Sequence, residues 1–212
     1  MPDGAHLAAF AGAALVLAVI PGPAMLYVLA RSLAEGTGTG LRSTAGTAVG
    51  GMAHVLAAVL GLSALIVASA TAFEVLRFAG AAYLVWLGVQ TLRSAGKPLE
   101  IEASGGPGNA LGQGTLTELL NPKTALFFLT FLPQFVQPER GPVWAQLLLL
   151  GSASVLLNSS ADVVVAVFSG RLGVLLRRSP RWWKRQRIGS GVLLIGLGAA
   201  AAATGSRRET GR

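Results

Sequence analysis

Apolar residues run through this chain in stretches of about 20, the length a helix needs to cross a bilayer core, and polar residues collect between them. Six stretches stand out by hydropathy: residues 6–29, 45–70, 73–92, 114–136, 143–169 and 188–205. The pattern predicts an all-α membrane protein with about six transmembrane helices. Only "ATAF" separates the second stretch from the third, which predicts a tight helical hairpin. The third and fourth are joined by "RSAGKPLEIEASGGPGNALGQG", whose glycines and charges read as a solvated linker. One transmembrane domain therefore divides into two three-helix halves, residues 1–95 and 113–212, with a linker over 96–112.

The halves resemble each other. "IPGPAMLYVL" (20–29) aligns without gaps on "LNPKTALFFL" (120–129): Leu26 matches Leu126, Leu29 matches Leu129, and Tyr27 faces Phe127. "GAAYLVWLG" (80–88) aligns on "SGVLLIGLG" (190–198), where Leu84, Leu87 and Gly88 match Leu194, Leu197 and Gly198. A repeat with an odd number of spans lies upside down relative to its partner. Inverted repeats of this kind mark secondary transporters, whose substrate site sits near the midplane where interrupted helices meet. Both interruptions here, "PGP" and "NPK", fall at corresponding places.

Composition agrees with a membrane setting. The 212 residues are 52% hydrophobic and 12% charged, with a mean hydropathy of +0.61, against roughly 25% charged in soluble domains. The net charge of +8 would suit nucleic acid, but the bases sit between apolar runs, as membrane topology requires, so no nucleic-acid partner is expected. With no cysteine, disulfides, thiolate metal sites and redox dithiols are excluded. The N-terminal "MPDGAHLAAF" lacks the basic stretch of a signal peptide and is expected to remain as the start of the first span. Eleven bases fall in the odd-numbered loops, Arg31 among them, and five on the opposite side. This asymmetry predicts cytoplasmic odd loops and both termini outside. A five-span form with the basic tail in the cytoplasm is the alternative. "RRSPRWWKRQR" (177–187) reads as a basic and aromatic anchor at the cytoplasmic surface.

Charged and helix-breaking residues inside the spans are the candidates for chemistry. Pro21, Gly22 and Pro23 unwind about one turn, because proline removes a backbone donor and clashes with the carbonyl four residues back. Such backbone survives at membrane depth only packed on protein or lining a cavity; a plain packing kink is the simpler alternative. Lys123 costs several kcal/mol at the bilayer centre, so it is expected to face inward, toward a partner or a substrate carboxylate. Asn121 and Pro122 share its broken turn. Asp162 in the fifth stretch is a candidate counter-ion, proton carrier or amine ligand, with a structural salt bridge to Lys123 as the other reading; Asn158 lies one turn earlier. His54 is either a proton relay or an interhelical hydrogen bonder. Glu118 is expected at the interface. Gly46, Gly50, Gly51, Gly80 and Gly88 suit close packing within the protomer, with a homodimer as their second use. Metal spacings, phosphate loops and paired catalytic carboxylates are missing, and a Ser159 or Ser160 dyad with His54 has no supporting GxSxG turn, so no enzyme, cofactor or metal is expected.

"AVIPGPAMLYVLARSLAEGTGTGLRSTAGTAVG", "GAAYLVWLGVQTLRS" and "GQGTLTELLNPKTALFFLTFLPQFV" resemble the LysE/RhtB family of amino-acid exporters, particularly its homoserine/threonine branch. Its most specific elements are Pro21-Gly22-Pro23, Asn121-Pro122-Lys123 and Phe131-Leu132-Pro133-Gln134-Phe135. The resemblance implies a multi-pass protein of the bacterial inner membrane that exports small neutral amino acids by proton antiport. A substrate site at Pro21, Gly22, Pro23, Asn121, Pro122, Lys123 and Asp162 would follow, with Asp162 and His54 coupling protons. A non-specific small-solute channel and a non-transporting membrane scaffold are the rival readings.

Overall fold

The computed structural model describes residues 2–68, 70–96, 108–178 and 180–209. Among these residues all regular structure is helical: α1 (Gly4–Val19), α2 (Pro23–Glu35), α3 (Thr37–Ala68), α4 (Ala70–Arg93), α5 (Ala110–Leu119), α6 (Pro122–Leu126), α7 (Val143–Arg178) and α8 (Pro180–Glu209). After α6 the chain continues through a π-helical turn, Phe127–Phe131, and two 3₁₀ turns, Leu132–Phe135 and Pro138–Arg140. Helix occupies each of the six stretches expected, but the first and fourth are broken. Among the described residues two helices are long and apolar enough to span a membrane alone, Thr37–Ala64 and Val143–Ser169, both with hydropathy 1.6. The pair His6–Val19 and Pro23–Glu35, bent by 46°, makes a third if it is one span.

Packing explains the order. α3 lies along α5 and α7, α7 also meets α1 and α2, and α4 lies along α8. The hairpin expected between α3 and α4 is therefore corrected: α4 turns away and uses α8 as its main partner. Small residues permit these approaches. A Cβ on Gly46 or Gly50 would run into the α5 backbone at Leu111 or Thr115, and one on Gly51 would touch Val155. Gly80 faces Thr130 and Gly88 faces Gly191, so every glycine singled out in the sequence is used within the protomer. Dispersion and close backbone contact replace the hydrophobic drive that lipid removes.

The main core gathers Phe10, Leu17, Val55, Phe127, Phe128, Phe131 and Leu147 with smaller neighbours. Phe131 meets Phe127 and Phe135 with ring centres 5.3 and 5.0 Å apart, so the irregular turn after α6 is held by aromatic packing. Arg31, expected in a loop, is instead buried on α2, where it pairs with Glu35 at 2.9 Å and donates to the Gly108 carbonyl. The linker centre, residues 97–107, and the tail 210–212 lie outside the described residues. So do most side chains of the basic stretch 177–187; within it Lys184 and Arg185 are exposed.

Candidate functional site

Both broken helices are interrupted at one small cavity, and the sequence dictates each break differently. At the first, α1 stops at Val19 and α2 restarts with Pro23 at its first position, where the missing N–H and fixed φ are no handicap. Gly22 is the N-cap, extended and without any side-chain cap. At the second, Asn121 is the N-cap of α6, its Oδ1 accepting the Lys123 backbone N–H at 3.1 Å, with Pro122 at the first position. Its Nδ2 donates to Glu118 Oε2 at 3.0 Å. One asparagine thus caps the new helix and ties it to the last turn of the old one.

Lys123 reaches across from the second break to the first. Its ammonium donates to the carbonyls of Leu17 at 3.2 Å and Ile20 at 3.0 Å, the groups that the end of α1 leaves without helical partners. A cation there also complements the negative end of the α1 dipole. Gly22 makes room: a Cβ on it would stand 3.1 Å from Lys123 Cε. The salt bridge to Asp162 weighed from the sequence does not form, since Lys123 spends its bonds on backbone carbonyls.

The cavity measures about 30 Å³, room for a water or two and far too small for an amino acid. Gly22, Thr47, Glu118, Asn121, Lys123 and Asp162 contribute its polar wall, and Met25, Phe128 and Val155 an apolar one. Asp162, 6% exposed, accepts a hydrogen bond from Thr47 Oγ1 at 3.1 Å. Glu118, 8% exposed, is buried on the cavity rather than at the interface, because the break after Leu119 turns the end of α5 inward.

Of the site residues proposed from the sequence, Gly22, Asn121, Lys123 and Asp162 meet on the cavity, beside Gly51, Asn158 and Ser159, which the sequence had named in other roles. Pro21, Pro23 and Pro122 are not on its wall; they shape the backbone beside it. His54 stands behind the wall. Its Nε2–H donates to the Glu118 carbonyl at 3.0 Å, and its ring stacks on Phe128 with centres 6.0 Å apart. It bonds neither Ser159 nor Ser160, whose hydroxyl turns to the Leu156 carbonyl, so the protease dyad is not formed. The sequence reading missed Glu118 and Thr47. Glu118 had a readable signal, an acid three residues before the helix-breaking asparagine. Thr47, an ordinary hydroxyl in an apolar span, had none.

Bonds also tie the elements together on either side of the cavity. Farther along α2, Tyr27 Oη donates to the Ala110 carbonyl at 3.3 Å and to Gln113 Oε1 at 3.2 Å. At the start of α1, Asp3 caps the helix by accepting the His6 N–H at 2.9 Å. Gln137 Nε2 donates to Asp3 Oδ2 at 3.0 Å, and Gln146 joins the Gln137 backbone to α7. The His6 backbone N–H, then the His6 ring and Gln137, hold the Asp3 carboxyl well below the usual carboxylate range.

A helical chain with membrane-spanning segments and a buried, charged cavity at two facing helix breaks has the form of a membrane translocator. Residues 15–205 match the LysE type translocator family, and the chain belongs to that family. It is 35% identical over 193 residues to an uncharacterized membrane protein of Pseudomonas aeruginosa, spanning 87% of this chain and 88% of that one. It is 30% identical over 190 residues to the homoserine/homoserine lactone efflux protein of Salmonella typhimurium, spanning 88% and 91%. A leucine efflux protein of Klebsiella pneumoniae is 33% identical over 134 residues, 62% and 63% of the two chains. No solved structure matches it significantly.

Proposed function

We propose that this protein exports small neutral amino acids from the cytoplasm by proton antiport, with alternating access at the cavity between its two helix breaks. One observation carries the reading: Lys123, on the second break, reaches across to cap the first, in a cavity shared with Asp162. An entering carboxylate would compete with the Leu17 and Ile20 carbonyls for the ammonium, and the α-ammonium would meet Asp162. Loss of the Lys123 cap would free the end of α1 from α6. Binding and opening would then be one event, since a ligand shifts an equilibrium only by its differential contacts. The 30 Å³ cavity requires such a change before an amino acid enters. Tyr27 with Gln113 on one side and Asp3 with Gln137 on the other are the ties that would break in turn.

An inverted repeat is the second part of this reading. Aligning 80–88 with 190–198 places Ala81 on Gly191 and Val85 on Ile195. Gly88 packs against Gly191 and Ile195, and Gly198 packs against Ala81 and Val85. Such reciprocity, where i meets j and j meets i, is what a two-fold relation requires. The partners of the helices agree: α3 with α7 and α4 with α8 are each a pair of counterparts. Six spans with cytoplasmic odd loops in a bacterial inner membrane complete the proposal.

The test is efflux from vesicles holding the purified protein and a mixed amino-acid panel, with and without a pH gradient. Selective loss of small neutral amino acids, accelerated by the gradient, is expected. Gradient-independent loss of every small solute would make the protein a channel. No loss from folded protein would overturn the assignment to the amino acids in the panel.

A further inference from the structure

The proposed site holds a second carboxylate that the mechanism above does not use. Glu118 from α5 and Asp162 from α7 both line the cavity, both more than nine-tenths buried. Each has one oxygen tied to a neutral donor: Glu118 Oε2 takes Asn121 Nδ2–H and Asp162 Oδ2 takes Thr47 Oγ1–H. Neither forms an ion pair among the described residues, because the one cation on the wall, Lys123, is bonded to the carbonyls ending α1. Two buried carboxylates that share a wall with a single lysine leave the cavity one positive charge short, and a proton or a ligand ammonium relieves that cost.

From this arrangement we infer that Glu118 is a proton-exchanging group of the transport cycle, sharing with Asp162 the positive charge that the cavity needs. The inference rests on the export reading above. When the cavity faces outward, a proton enters the pair as the substrate ammonium leaves. When it faces inward, the proton passes to cytoplasmic water as the next ammonium arrives. One positive charge replaces another in each half of the cycle. The groups facing Glu118 are few. α3 brings His54 to its backbone carbonyl, α6 brings Lys123, α7 brings Asp162, and α2 brings Tyr27 to the far end of α5. His54 is thereby a positioning residue: its Nε2–H fixes the α5 terminus that carries Glu118. Asn121 links the acid to the broken turn, so protonating Glu118 would weaken the acceptor offered to the residue that caps α6.

The decisive experiment is an infrared titration of the full-length protein in lipid vesicles, comparing wild type with Glu118→Gln and Glu118→Asp. Glutamine keeps an oxygen for Asn121 and cannot exchange a proton; aspartate shortens the side chain and keeps the acid. Wild type is expected to show a protonated-carboxyl absorption that diminishes as the pH rises and shifts when amino acid is added. Part of that absorption vanishes in Glu118→Gln and moves in Glu118→Asp. In the same vesicles the ratio of gradient-driven efflux to amino-acid exchange falls about tenfold in Glu118→Gln, the effect of roughly 1.4 kcal/mol. An infrared titration identical in all three proteins would overturn the inference, as would an unchanged efflux-to-exchange ratio. If wild type moves no amino acid at all, the export reading fails, and the infrared comparison still decides whether Glu118 exchanges a proton.

Discussion

The two helix breaks occupy matching places in the chain and do different work. The first, Pro21-Gly22-Pro23, brings no functional side chain; its N-cap glycine makes no side-chain bond, and what it offers is backbone freed from helical bonding. The second, Asn121-Pro122-Lys123, brings an amide that caps its own helix and a cation that caps the other helix. A broken helix needs partners for its freed backbone groups, and here one break supplies them for both. The two breaks share a backbone shape and divide the chemistry.

That division can be broken at graded cost. Lys123→Ala removes a charged donor from two buried carbonyls, a loss of about 1.5–3 kcal/mol per bond to a charged group. Efflux should fall by about a hundredfold or more, while folded yield measured by size-exclusion chromatography falls less. Asn121→Ala deletes the α6 cap, about 1 kcal/mol, and strands Glu118. A lower melting temperature in detergent and about tenfold slower efflux are expected. Gly22→Ala puts a methyl 3.1 Å from Lys123 Cε, and the flexible side chain gives way. Stability should change by less than about 1 kcal/mol while the affinity for amino acid, read by calorimetry, weakens several-fold. If Gly22→Ala were as damaging as Lys123→Ala, the first break would carry chemistry of its own.

The smallest effect lies away from both breaks. The Asp3 carboxyl is held below its ordinary value of 3.8 by the His6 backbone N–H, the His6 ring and Gln137. A lowered folded-state value means that its stabilisation is present above 3.8 and is lost as the pH falls from there toward that lowered value. Because Asp3 is only partly buried and stays in contact with solvent, the effect is small. Asp3→Asn should melt slightly below wild type at neutral pH and converge with it in strong acid.

Much of this was legible because membrane helices announce themselves by hydropathy, and a proline or lysine inside one is expensive enough to be informative. The Gly22, Asn121, Lys123 and Asp162 cluster followed from that logic. Partner choice was less visible: α4 packs on α8 rather than α3 through Gly88 and Gly198, and no one-dimensional pattern says which of two small-residue faces a helix will use. Glu118 was misplaced at the interface because hydropathy treats the fourth stretch as a straight rod, whereas the break at Asn121 carries the acid inward. Lys123 illustrates the remaining gap. Its inward direction was readable, but its carbonyl partners are a hundred residues away in the chain and belong to backbone, which sequence does not mark.

The central claim is that the cavity between the breaks is where the amino acid binds, and the absence of cysteine allows a clean test. A single cysteine at Ser159, on the cavity wall, would be the only thiol available to a membrane-impermeant reagent in reconstituted vesicles. The account predicts that an amino acid lost from those vesicles slows labelling of Ser159→Cys in proportion to its occupancy, and that Lys123→Ala abolishes this protection. Labelling unaffected by every amino acid the vesicles release would contradict it, and would place the transport path elsewhere in the fold.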